Sequence, residues 1–147
     1  MADGIDKSIP RGIRNNNPGN IKKNNIEWDG LAEEQIDPIF FIFKEPIWGI
    51  RALMRILLVY RFKHKLKTPH DIIYRWAPPS ENPTDTYIEH ISKYTGYKAD
   101  QELDNTIEDY LPLVKALIMF ENGKQPYNDE TLVEGMFRGW DGFPTNE

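Results

Sequence analysis

Ala116-Leu117-Ile118-Met119-Phe120-Glu121-Asn122-Gly123 is an apolar run that ends in a carboxylate and a chain-reversal signal. Upstream, Leu111, Val114, Leu117 and Ile118 recur at helical spacing, which predicts a helix over 106–121. Asn122-Gly123 terminates it, because glycine adopts the left-handed conformation of a helix C-cap without strain. Glu121 therefore stands on the last turn of a buried helix. The negative end of the helix dipole and burial both oppose ionisation there, so both favour a carboxyl that keeps its proton. A glycosidase general acid has that requirement. A solvated Glu before a cap shares the same local sequence, so the motif acquires meaning only with its surroundings.

Working outward, Pro46 opens a long helix with an apolar stripe of Ile47, Ile50, Leu53, Met54, Leu57 and Leu58. Arg51 and Arg55 flank the stripe. Thr68-Pro69 is an N-cap with Pro at the first helical position, and that helix runs to about Trp76. Pro78-Pro79 ends it. Another helix starts at Asn82-Pro83-Thr84, turns Tyr87, Ile88 and Ile91 inward, and stops at Gly96. A last short helix is capped by Asp129 and reaches Met136 or Phe137. Residues 1–19 read as an irregular arm. Between Asn20 and Phe43 the pattern suits short strands at 20–23, from 27, and at 39–43, with Asp29-Gly30 as a turn. The expectation is an α+β, mostly α fold: one domain over 1–147 with a small antiparallel hairpin near the N-terminus, residues 1–10 and 141–147 being loose or, through Trp140, packed back.

Bulk properties narrow the function. The chain has 147 residues, enough for a single core. A net charge of -5 argues against nucleic acid as the main partner. There is no Cys, and the three His, at 64, 70 and 90, lack any ligand spacing, so neither a metal nor another cofactor is expected. The apolar stretch near 47–60 is interrupted by Arg51 and Arg55, so no membrane insertion is expected. MADGIDKSIPRG carries no apolar stretch, which predicts synthesis in a cytoplasm without a signal peptide. Four Trp and seven Tyr suit a sugar-binding cleft, where ring faces stack on pyranoses, although core packing uses the same residues.

Several polar groups are candidates for such a cleft. Asn16, Asn17 and Asn20 offer carboxamides for sugar hydroxyls and N-acetyl groups, or simply serve turns. Asp29 or Asp37 is a candidate second carboxylate among the acids of the hairpin. Trp76 to Thr84, too rich in Pro for a helix, reads as a cleft wall or a plain connection.

Taken together, RGIRNNNPGNI (11–21), WDG (28–30), F-x-F-x-x-P-x-x-GIRAL-x-R-x-L (41–57), WAPPSENPT-x-x-YI (76–88) and FENGKQPY (120–127) resemble a family of bacteriophage virion-associated peptidoglycan-degrading proteins. That resemblance implies a lysozyme-like or lytic-transglycosylase-like domain. Gly49-Ile50-Arg51-Ala52-Leu53 is similar to the Gly-led helix of lytic transglycosylases, and Thr84-Asp85-Thr86-Tyr87-Ile88 to their Glu-Thr-x-x-Tyr helix, with Asp85 in place of Glu. Their catalytic helix is best matched by 116–123, at the far end, which implies a circularly permuted order. Asn122 stands where Ser is usual, and the Gly-Leu-Met-Gln loop is absent.

The resemblance implies Glu121 as catalytic acid on the bond between N-acetylmuramic acid and N-acetylglucosamine. It implies substrate contacts from Asn16, Asn17, Asn20, Trp28, Asp29, Trp76, Asn82, Thr84 and Tyr87. Peptidoglycan is the implied partner, with other virion proteins beside it, and the periplasm or cell wall the place of action. Cross-link endopeptidase activity and a non-catalytic phage structural or binding role are the alternatives, and a host-directed inhibitor is a more distant one. Glu121 is expected to face Asn16, Trp28 and Tyr87 across one cleft.

Overall fold

The computed structural model describes residues 6–145; the ends of the expected loose termini, 1–5 and 146–147, lie outside the described residues. Among the described residues six helices follow one another: α1 (Arg11–Arg14), α2 (Pro46–His64), α3 (Pro69–Trp76), α4 (Thr84–Thr95), α5 (Ile107–Asn122) and α6 (Asp129–Trp140).

Their boundaries follow local chemistry. The Thr68 and Thr106 side chains accept from Asp71 N and Asp109 N, capping α3 and α5. Gly96 and Gly123 take left-handed φ values of 79° and 73° and close α4 and α5. The cap of α6 is Asn128 rather than Asp129, and the helix continues to Trp140, one turn beyond expectation. Pro112 lies inside α5 and cannot donate to the Glu108 carbonyl. The Tyr97 hydroxyl donates to the Asp109 carbonyl at 2.9 Å and to that of Glu108 at 3.4 Å, which supplies a partner to the freed acceptor.

Helix α2 is the central pillar. Ile50, Leu53, Met54, Leu57 and Leu58 are essentially inaccessible and join Ile72, Ile73, Ile91, Leu113, Leu117 and Leu132 in the main core. Helix α6 lies across α2 through Gly135 and Gly139, where a Cβ would collide with Ile50 and Met54. Two glycines one turn apart let the helices approach at backbone distance. The C-terminal segment packs back: Trp140 Nε1 donates to Asn105 Oδ1 at 2.7 Å, and Phe143 meets Phe62. No helix among the described residues is long and apolar enough to cross a membrane.

The expected hairpin is absent. Among the described residues there is no strand, only the isolated antiparallel bridges Lys22↔Phe40 and Leu31↔Phe43. The fold is therefore helical rather than α+β, and the expected lysozyme-like domain with an N-terminal antiparallel hairpin, in permuted order, is corrected to six helices without a strand among the described residues. The physical reason is competition for the ladder. Gln35 gives its amide to the carbonyls of Ala32 and Ile42 and accepts from Ile42 N. Asn17 donates to the carbonyls of Ile21 and Phe41 and accepts from Ile21 N. Asp37 Oδ1 accepts from Ile39 N and Phe40 N. Side chains thus take up backbone groups beside the backbone pairs that remain, Lys23 N with Ile39 O, Phe41 N with Ile21 O, Ala32 N with Ile42 O and Lys44 N with Gly30 O, too scattered to form a strand. The segment still has its own small core of Ile21, Phe41, Phe43 and Ala52, flanked by Trp28, Leu31, Trp48 and Ile56.

Candidate functional site

The last turn of α5 carries Glu121 to the meeting point of four segments. Its Oε2 accepts from the Tyr87 hydroxyl of α4 at 2.8 Å and from Trp76 Nε1 of α3 at 3.3 Å. Its Oε1 accepts from Asn20 Nδ2 at 3.1 Å, and the same amide reaches the Glu121 backbone carbonyl at 3.4 Å. Trp76 Nε1 also approaches the Tyr87 oxygen at 3.1 Å, so indole, phenol and carboxylate form one small network. Burial and the adjacent Glu121 charge push the Tyr87 hydroxyl far above the phenolic range, so it remains a donor. The Tyr87 ring is fixed by Phe120, stacked at 3.7 Å between centroids, with His90 against the far edge of Phe120.

Asn122, the residue after the carboxylate, ties the helix end to the irregular segment. Its Nδ2 donates to the carbonyls of Pro18 at 2.8 Å and Ile118 at 3.0 Å. The carboxamide oxygens of Asn20 and Asn122 both converge on Gly12 of α1, where any Cβ would lie closer than 3.0 Å to each of them and to the Asn17 carbonyl. Gly12 therefore permits the contact that brings Asn20 onto Glu121. Asn20 itself has φ 50°, a left-handed value that Asn tolerates better than most residues.

Glu121 is half-buried at the wall of a cleft of about 460 Å³. Asn20, Lys22, Asn24, Tyr60, Trp76 and Asn82 are among the residues that line it, with Glu81 as a second carboxylate. Glu81 is exposed.

The residues expected at the site separate into two groups. Glu121, Asn20, Trp76 and Tyr87 meet as one cluster, and Asn82 lines the same cleft. Trp28 lines an adjoining groove. Asn16 and Asn17 do not reach the cleft: Asn16 donates to the Phe43 and Lys44 carbonyls, and Asn17 is fully buried. Asp29 is exposed and pairs with Arg51 at 3.2 Å, away from Glu121. Thr84 is buried and donates to the Ala77 carbonyl, bracing the turn before α4. Asp37 is held by Arg11 through two 2.7 Å hydrogen bonds and by Asn15 at 2.9 Å, which depresses its pKa far below the carboxylate range. It belongs to the scaffold of the segment, outside the cleft.

The sequence reading passed over Lys22, Asn24 and Tyr60, and held Glu81 only as part of the cleft wall of 76–84. A signal existed for most of them. Asn20, Lys22 and Asn24 alternate, so an extended chain shows all three on one side. Ile56 and Tyr60 are one turn apart on α2, on the margin of the apolar stripe.

No protein-family model matches the chain. Protein P5 of Pseudoalteromonas phage PM2 is 42% identical over 135 residues, covering 90% of this chain and 83% of the relative. The chain belongs to the Protein P5 family of bacteriophage proteins. Those 135 residues are most of the chain, so the match is to the whole helical body and not to a short motif.

Proposed function

We propose that the protein cuts the glycan strands of bacterial peptidoglycan as a phage-particle enzyme, with Glu121 as the proton-transferring group. The observation that carries this reading is a carboxylate at a cleft wall, gripped by donors from three other segments, beside Trp76, Tyr60 and three asparagine or lysine side chains. The sequence resemblance to virion-associated peptidoglycan-degrading proteins suggests the substrate class, and the phage relative fits a role in the phage particle.

Oε2 receives two of the side-chain donors and Oε1 only one, so Oε1 has the greater open capacity for a transferable proton. In its protonated form Glu121 gives that proton to the oxygen joining N-acetylmuramic acid to N-acetylglucosamine. The C1–O bond breaks, and the N-acetyl carbonyl oxygen stabilises C1. The Glu121 carboxylate then removes the proton of the muramyl C6 hydroxyl. That oxygen closes on C1, giving a 1,6-anhydro end. One carboxylate serves both steps; Asp29 and Asp37 are committed to arginines elsewhere, and Glu81, the second carboxylate of the cleft, is exposed.

A second reading has its own support. The three donors on Glu121 also clamp α5 to α3, α4 and the irregular segment, so the cluster would serve a non-catalytic phage structural or wall-binding protein equally as a joint. Clearing of cell-wall suspensions and muropeptide mass spectrometry separate the two. The expected result is anhydro-glycan ends with intact peptides, and a rate lower by about 10²–10⁴-fold in Glu121→Gln, with the melting temperature nearly unchanged. A Glu121→Gln protein that clears at the wild-type rate would remove Glu121 from the chemistry. Wall binding without soluble product from the wild type would establish the second reading, and cut cross-links would point to an endopeptidase.

A further inference from the structure

The Glu121 cleft does not end at Tyr60. A groove of about 670 Å³ continues from it, sharing Ile21, Asn24, Ile56, Tyr60 and Pro78 as common walls. The new part is lined by Ile26, Trp28, Val59, Tyr74 and Arg75. Arg75 is the one charged residue among the groove's lining residues. Its guanidinium lies over the Tyr60 ring, 5.5 Å from the centroid, so the flat cation rests on the wall common to cleft and groove.

Most of the other arginines are engaged differently, Arg14 sharing with Arg75 the absence of a carboxylate within ion-pair distance among the described residues. Arg11, Arg51 and Arg138 each pair with a carboxylate, and Arg55 and Arg61 donate to backbone carbonyls. No carboxylate among the described residues lies within ion-pair distance of Arg75, although the chain has 23 acids against 18 bases. A fork of N–H donors thus faces a recess walled by Ile26, Ile56, Val59 and aromatic rings. Such a site matches a ligand with a carboxylate and short apolar side chains; guanidinium holds carboxylate in a planar, often bidentate pair.

We propose that this groove binds the carboxylate-bearing peptide branch of the polymer whose glycan lies in the Glu121 cleft, with Arg75 as its anion-binding group. This rests on the peptidoglycan reading, because the branch must leave the same strand that passes Glu121. The continuous walls make that possible without a separate ligand. A bare glycan strand would fill the cleft alone and leave the groove and its cation unused, so the site selects branched strands over stripped ones.

The experiment compares glycan fragments carrying peptide branches with the same fragments freed of them by an amidase. Binding is measured by titration calorimetry to Glu121→Gln, which leaves the probes intact, and to Glu121→Gln combined with Arg75→Gln. The expected result is about tenfold tighter binding of branched fragments, the worth of one charge-assisted pair. Arg75→Gln should abolish that preference and leave affinity for stripped fragments unchanged. Equal affinity for both probes, or an equal loss for both on Arg75→Gln, would overturn the proposal. Wild-type turnover of the same probes keeps the two readings apart. A retained branch preference without cleavage sinks the enzymatic reading alone. Cleavage with no preference sinks the groove alone.

Discussion

The helical body and the irregular segment 15–45 are held together by different forces. In the body, α2, α4 and α5 bury aliphatic side chains spaced at helical intervals, and the backbone satisfies itself within each helix. In the segment, a small aromatic core is framed by Asn17, Gln35 and Asp37, whose side chains stand in for a sheet ladder. The first region tolerates any well-shaped apolar residue of the right volume. The second depends on individual carboxamides and one carboxylate, because each satisfies two or more backbone groups. Glu121 sits on the seam: its helix belongs to the body, and Asn20 reaches it from the segment.

That contrast can be broken from either side. Leu117→Ala removes a fully buried side chain from α5 and should cost about 4 kcal/mol, within the usual range for cavity-forming Leu→Ala changes. Chemical denaturation should show a lowered midpoint for all probes at once, since the cavity lies in the core common to the helices.

Asn17→Ala should cost less in total, about 2–3 kcal/mol, from the Ile21 amide and the Phe41 carbonyl left without partners, while the Ile21 carbonyl keeps the Phe41 N–H. Its effect should also be local. Hydrogen exchange should accelerate across 15–45 while α3–α6 stay protected, and wall clearing should fall as Asn20 loses its hold on Glu121. Uniform acceleration through the whole chain would show that the two regions are not separable.

The smallest effect sharpens the comparison through pH. Arg11, Asn15 and two backbone amides lower the Asp37 pKa below its unfolded value of about 3.9. A depressed folded pKa means that the stabilisation is fully present above that unfolded value and is lost as pH falls below it towards the folded pKa. Asp37→Asn should therefore cost about 1 kcal/mol at pH 7, limited because Arg11 is 39% exposed and screened by solvent. The difference from wild type should shrink below pH 4, measured as urea midpoints between pH 2 and 7.

Much of the body was legible because helical periodicity, Thr caps and Gly stops are local signals. The helices of 46–64, 69–76, 84–95 and 107–122 follow them closely. Helix α1 was missed because Arg11–Arg14 is too short to show a period. The strand reading of 20–43 failed because alternation reports an extended chain, and here the pairing stops at isolated bridges. Asn20 lines the cleft and also grips Glu121, a contact that no local spacing announces. Asn16 and Asn17 have the same chemistry in sequence, and only the turn of the chain sends their amides to Phe43 and Phe41 instead.

The sequence by itself determined the helices, their ends, the buried stripes and a carboxylate on the final turn of an apolar helix. These depend on spacings of one to four residues, which are fixed within a single element. Tertiary structure alone decided which donors meet that carboxylate. Asn20 is 101 residues from Glu121 in the chain, Trp76 is 45 and Tyr87 is 34. Contacts of that range depend on how whole elements pack. Here they depend on α2 at the centre, the glycines of α6 against it, and Gly12 giving the carboxamides of the seam their room.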